Sequence, residues 1–215
     1  MAFGGIPQDD EGGWVKFIVF EDEAKNLDKF LSSHNPSDPS WNKKNAPWVT
    51  VSNPYAKTRG ESDLFRAFQL WEDLKRSTLN VTAERVKEIA KETNLTVGKW
   101  MIFRRRSMID ETWKTIAEAT VAGKLGCSSK VATAYQSDTG SKNKKADMHL
   151  ICVYTDDYSD KEEVMRVERE LRSLGVADVL NYKPDIYTHF DIYAKNPYKI
   201  KVSLYTTKSV GSMAS

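Results

Sequence analysis

The segment Val97-Gly98-Lys99-Trp100-Met101-Ile102-Phe103, running into Arg104-Arg105-Arg106-Ser107-Met108-Ile109-Asp110, constrains this chain more than any other. Alternation puts Trp100, Ile102 and Arg104 on one side of a strand and Lys99, Met101 and Phe103 on the other, and both sides carry bulk. A strand with two bulky faces belongs inside a sheet. Ser107 with Asp110 three residues on then reads as a helix start, the hydroxyl accepting an orphan backbone N–H and the carboxylate answering the helix dipole. Any fold must accommodate a central strand that turns straight into a helix.

The rest of the chain can be arranged around that turn. Trp14 to Phe20 is a short apolar segment, and Ala24, Leu27, Phe30 and Leu31 share one face of a helix over 21–31. Residues 32–46, rich in Ser, Asn, Pro and Lys around a lone Trp41, read as a surface loop. Residues 47–54 alternate and are β-branched, a strand ended by Asn53-Pro54. Leu64, Ala67, Phe68, Trp71 and Leu74 predict an amphipathic helix over 61–76 with Trp71 in the core, and Thr82 opens a second helix that stops at Asn94. After Ser107 the helix carries Ile109, Trp113, Ile116, Ala117 and Thr120 as far as Gly123 and Gly126. Residues 130–135 and 148–155 read as a hairpin joined by the polar loop 137–145. Ser159 with Glu162 forms a capping box before the stripe Val164, Val167, Leu171 and Leu174, which ends at Gly175, and short strands follow around 181–182, 190–193 and 200–205.

This order does not alternate as a doubly wound sheet would. It predicts an α+β fold, a curved antiparallel sheet with about three long helices packed on one face and a concave face left for a ligand. With 215 residues, 40% hydrophobic and 29% charged, one domain is expected over 14–207, its first part (14–46) peripheral, between disordered tails 1–13 and 208–215.

Several function classes are excluded at this stage. No apolar run approaches the roughly 18 residues that span a bilayer, and the first residues lack the pattern of a signal peptide, so a cytoplasmic location, with the nucleus also open, is expected and a membrane is not. Cys127 and Cys152 have no CxxC spacing, and His34, His149 and His189 are scattered, so buried reduced thiols and no metal are expected. There is no P-loop, GxGxxG, HExxH or Gly-x-Ser-x-Gly, and no cofactor is called for. The acidic cluster Asp156, Asp157, Asp160, Glu162 and Glu163 stands where a helix start attracts carboxylates. The reading leans against an enzyme.

What remains is basic and aromatic. Lys99, Lys130 and the loop lysines Lys142, Lys144 and Lys145 are candidate phosphate contacts, with Trp48, Tyr55, Trp41 and Tyr135 as candidate stacking partners. Ammonium groups supply point charges for phosphate, and a ring stacked on a base is worth roughly 1–3 kcal/mol. The bland reading of the same residues is solvated lysines and core tryptophans. Lys183, Asp185, Tyr187 and His189 form a second polar set, which an enzyme acting on a phosphorylated small molecule would use; its bland reading is a Tyr-Lys-Pro-Asp turn.

Gly98-Lys99-Trp100-Met101-Ile102, followed by a helix containing Ile109-Asp110-Glu111-Thr112-Trp113, resembles the Gly-Gly-Arg-Trp strand and next helix of the mRNA cap-binding translation initiation factor of the 4E type. More closely, Trp48-Val49-Thr50-Val51-Ser52-Asn53-Pro54, Gly98-Lys99-Trp100, Gly123-Lys124-Leu125-Gly126 with Lys130-Val131, and Tyr182-Lys183-Pro184-Asp185-Ile186-Tyr187-Thr188 are similar to the uncharacterised basophilic-leukaemia-expressed protein family, which shares that fold. The resemblance implies a non-enzymatic binder of RNA ends, nucleotides or cap-like ligands on the concave face, with Lys99 in place of the motif's Arg. Where the factor carries a loop with Trp and Glu, this chain has the Thr82 to Asn94 helix, with no Trp. A protein partner docked on the helical face is the alternative, and Arg66 stands where the factor's dorsal site exposes a Trp.

Overall fold

The computed structural model describes residues 15–17, 26–57, 59–139 and 147–208. Its centre is one seven-stranded sheet in the order β1-β2-β4-β5-β3-β6-β7. The strands are β1 (Val15–Phe17), β2 (Trp48–Ser52), β3 (Gly98–Arg105), β4 (Ser128–Ala132), β5 (Met148–Thr155), β6 (Asn181–Pro184) and β7 (Tyr205–Thr206). Every pairing is antiparallel except β1 with β2. β3 is paired on both sides, as its two bulky faces require: Lys99 stands opposite Tyr154 of β5 and Lys183 of β6, and Met101 opposite Cys152 and Asn181.

The helices are α1 (Leu27–Ser33), α2 (Trp41–Lys44), α3 (Leu64–Arg76), α4 (Ala83–Glu92), α5 (Arg106–Val121), α6 (Ala134–Thr139), α7 (Lys161–Ser173) and α8 (Ile186–His189). Alternate strand residues Val49, Val51, Trp100, Ile102, Val131, Ile151, Val153 and Tyr182 join apolar residues of α1, α3, α4, α5 and α7 in one large core. Trp100 is fully buried and its indole N–H donates to Val164 O of α7 at 2.9 Å, so a polar group is satisfied where it could not reach water. Among the described residues the opposite sheet face has a small apolar cluster of Val97, Cys152 and Tyr154, with Cys127 and Leu150 packed against it. Gly98 is required by packing: a Cβ there would lie 2.3 Å from the Tyr182 hydroxyl oxygen.

Helix ends follow local chemistry. Thr82 accepts from Arg85 N–H, and α4 stops where Asn94 turns left-handed at φ 55°. Gly175 does the same after α7 at φ 86°. Two expected caps are displaced. β3 keeps its ladder to β5 through Arg105, so α5 begins at Arg106 and Ser107 lies inside it. Asp110 instead accepts from the Ser37 N–H at 3.0 Å and the Ser37 hydroxyl at 2.5 Å. At α7 the Ser159 N–H and hydroxyl both go to Asp157, and Asp160 takes the cap by accepting from Glu163 N–H.

Four other expectations are corrected. The stretch 32–46 is not a bare loop: it contains α2, and Trp41 is 1% exposed with its N–H donated to Asn35 O. Residues 134–139 form α6 rather than the end of a strand and the start of a loop. The strand expected around 181–182 runs on to Pro184, which overturns the bland reading of Tyr-Lys-Pro-Asp as a turn, and Asp185 makes no side-chain cap. Residues 190–193 form no strand, because β6 passes into α8 and a turn. The expected tails 1–13 and 208–215 lie outside the described residues except for Lys208, as do Lys142, Lys144 and Lys145.

Candidate functional site on the face opposite the helices

Alternation decides which side chains reach this face. From β3 it receives Lys99, from β5 Cys152 and Tyr154, from β4 Lys130, from β2 Trp48 and Thr50, and from β6 Lys183. Two sets that looked separate in the sequence, Lys99 with Lys130 and Lys183 with Asp185 and His189, are therefore brought together on one side of the sheet. At their centre is the ion pair of Lys99 with Asp185, both largely buried. Lys99 also donates to the Thr188 hydroxyl at 3.1 Å. Asp185 is placed just after β6 by its N–H, which donates to Val97 O at 2.8 Å, and its second oxygen lies 3.8 Å from His189 Nε2.

The charges follow from that geometry. Burial alone would raise the Asp185 carboxyl, but Lys99, through its charge and hydrogen bond, brings it below the ordinary value. Burial likewise opposes the Lys99 ammonium and is the largest single influence, yet the Asp185 charge and hydrogen bond, together with Cys152 and Tyr193, outweigh it and the net shift is upward. Lys183 is treated differently. Burial and then the Lys99 charge push it down to about 8, against the pull of Asp185 and Asp191. Its Nζ faces the Tyr193 ring, 3.9 Å from the centroid. Burial raises the Cys152 thiol and holds the Tyr154 phenol protonated.

Lys130 is half-buried and lies between two rings, its Nζ 4.4 Å from the Trp48 centroid and 5.5 Å from that of Tyr154. Lys99 Nζ is also 5.5 Å from Tyr154, so that ring receives two ammonium groups. Of the expected stacking residues only Trp48 belongs here. Trp41 is core, Tyr135 on α6 packs half-buried against the core, and Tyr55 is exposed beside Gly123 at the end of α5. Tyr187 is core as well. Sequence reasoning missed Tyr154, Thr188 and Tyr193. Tyr154 alternates with the core residue Val153 and so had to face away from the helices, but the contacts of Thr188 and Tyr193 depend on how the chain turns after β6.

On the arginine run, Arg104 pairs with Asp178, and Arg106 lies 3.7 Å from Asp147. Arg66 pairs with Glu92 across α3 and α4 at 3.2 Å. Among the described residues no cluster of His, Cys, Asp and Glu could hold a metal ion, and no helix is long and apolar enough to cross a membrane.

Fold and site together define a class: an α+β protein with one helix-backed sheet, whose other face carries lysines, aromatic rings and, among the described residues, one buried carboxylate. The sequence model of a family described as basophilic leukemia-expressed protein Bles03 matches residues 66–191, more than half the chain. The chain belongs to this family. Among solved structures it is similar to Ascaris suum eIF4E-3 with m7G cap, at 14% identity and TM-score 0.38, covering 55% of this chain and 61% of that one. It is similar also to C. elegans eIF4E-3 in complex with the 4E-binding protein Mextli and cap analog, at 17% identity and TM-score 0.37, covering 53% and 58%. The chain thus spans less than two thirds of the solved structures it matches.

Proposed function

We propose that this protein is a non-enzymatic binder of RNA ends, nucleotides or cap-like phosphorylated ligands on the face opposite the helices. The observation that carries this reading is the Lys130 ammonium held between Trp48 and Tyr154, beside Lys99. A phosphate draws Lys130 and Lys183 toward it, and Trp48, half-exposed at the edge of the cluster, offers a π-face to a base. Lys99 orders the site rather than contributing net charge, since Asp185 neutralises it. The loop lysines Lys142, Lys144 and Lys145 extend the same proposal to a longer phosphate chain.

Titration of the protein with GTP, a capped dinucleotide and a short 5′-phosphorylated RNA, followed by tryptophan fluorescence, tests this reading. Quenching that weakens with salt and is lost in Lys130→Ala is expected. No quenching at millimolar ligand refutes it. A second reading, a protein partner on the helical face, is favoured by α3, which leaves Phe65 75% and Phe68 40% exposed. Loss of a partner with Phe65→Ser, but not with Lys130→Ala, would select it.

A further inference from the structure

Between α1 and α5, on the helical side of the sheet and so away from the lysine cluster, lies a cavity of about 290 Å³. Leu31 of α1 and Trp113 of α5 line it and are 5% and 1% exposed, which places them at its bottom. Asp28 and Glu111, both exposed, stand at its mouth. The indole N–H of Trp113 is buried and has no acceptor among the described residues. Buried donors are nearly always paired, so this one marks a place where an oxygen atom belongs. The carboxylates at the mouth are equally unanswered. Asp110, also in the wall, accepts from Ser37 with both oxygens, and Lys114 lies 3.7 Å from Glu118, which is outside the cavity. Asp28 and Glu111 come from different helices, and their side chains have no partner among the described residues.

We propose that this cavity binds small linear amines carrying an oxygen at the far end, of which amino alcohols are the simplest. The ammonium rests on Asp28 and Glu111, and the oxygen accepts from the Trp113 N–H. Each part of the ligand is set by one part of the wall. An anion would meet two carboxylates that nothing neutralises. A metal ion or a plain alkylamine would satisfy those carboxylates but offer nothing to the indole, because a protonated amine has no lone pair to accept with. A neutral alcohol would reach the indole and leave the carboxylates unanswered, forgoing the stronger, charge-assisted hydrogen bonds. The methylene chain between the two ends lies against Leu31 and the Trp113 ring, out of water. Binding here uses none of the groups assigned to phosphate, since the cavity and the lysine cluster are on opposite sides of the sheet.

NMR of the isotope-labelled full chain reads the site directly, because the six tryptophans give separate indole N–H signals and that of Trp113 is identified through its own backbone amide. The probes are linear amino alcohols from ethanolamine to aminohexanol, with the alkylamine and the diol of matching length as controls. The best amino alcohol is expected to move the Trp113 indole signal and to saturate it by millimolar concentration, while its two controls need several-fold more. Asp28→Asn and Glu111→Gln, both at exposed positions, should each weaken the amino alcohol several-fold and leave the diol unchanged. A Trp113 signal that no amino alcohol moves overturns the proposal. Equal potency of amino alcohol, amine and diol, or undiminished binding when both carboxylates are replaced, overturns it as well. A protein that meets these expectations yet shows no quenching with nucleotide leaves this inference standing and the nucleotide reading refuted.

Discussion

Replacing Asp185 by alanine leaves the Lys99 ammonium in a place built for a pair. Lys99 is 6% exposed and would keep only the Thr188 hydroxyl as a hydrogen-bond acceptor. Removing one partner of a buried ion pair costs about 3–5 kcal/mol, because the remaining charge is stranded away from water. For a domain of this size each kcal/mol moves the melting temperature by about 2–4 °C, so Tm should fall by about 6–20 °C. Urea unfolding followed by tryptophan fluorescence supplies the free energy, and calorimetry the temperature. The double variant Lys99→Met, Asp185→Leu removes both charges and should recover most of the loss, since a well-packed apolar pair replaces an ion pair at little cost. The pH dependence has a fixed sign. The Asp185 carboxyl lies below its unfolded value, so its contribution is present above about pH 4 and is lost as the pH falls through the folded value. Lys99 lies above its unfolded value, so its contribution is complete below about pH 10 and is lost as the pH rises through the folded value. A loss under about 1 kcal/mol in Asp185→Ala, or a double variant whose loss equals the sum of the single ones, refutes the argument.

Three further perturbations test the frame around the site. Gly98→Ala sets a methyl group 2.3 Å from the Tyr182 hydroxyl oxygen, which is itself hydrogen-bonded to Thr155 at 2.5 Å, so a loss of about 2–3 kcal/mol is expected in urea unfolding. Arg172 donates to Val176 O, Asp178 O, the Thr207 hydroxyl and Lys208 O; Arg172→Ala should cost about 2 kcal/mol and speed amide exchange in β7 ahead of the rest of the sheet. His149 is fully buried, donates Nδ1–H to Ala132 O and is held below its ordinary value, chiefly by burial. Stability should therefore drop as the pH falls from about 6.5, the unfolded value, and the drop should shrink in His149→Leu.

Periodicity made most of the frame legible. The stripes of α3, α5 and α7 and the alternation of β2, β3 and β5 each have a single reading, because a wrong face would expose the core. Caps were less secure. Ser107 and Ser159 both had the right residue type, but the β3 ladder ran past the first and Asp157 claimed the second. Trp41 was misplaced because its polar neighbours looked like a loop, whereas one indole packed beneath α2 outweighs them. The site was half legible. Each lysine could be assigned to a strand face, but pairing of β6 with β3 cannot be read from either segment alone, so Lys183 and Asp185 stood apart from Lys99 until the register joined them.

The strand order has a consequence for how the protein is made. β3 lies between β5 and β6, both of which leave the ribosome after it, and the partner of Lys99 follows 86 residues later. Until that carboxylate arrives, even with β5 in place, the middle of the sheet holds an ammonium without its carboxylate and an open edge on β3. The last part of the chain thus acts as the closing piece: a nascent or truncated product that ends before β6 can form its helices but cannot complete its centre, and is left as a substrate for chaperones and proteases.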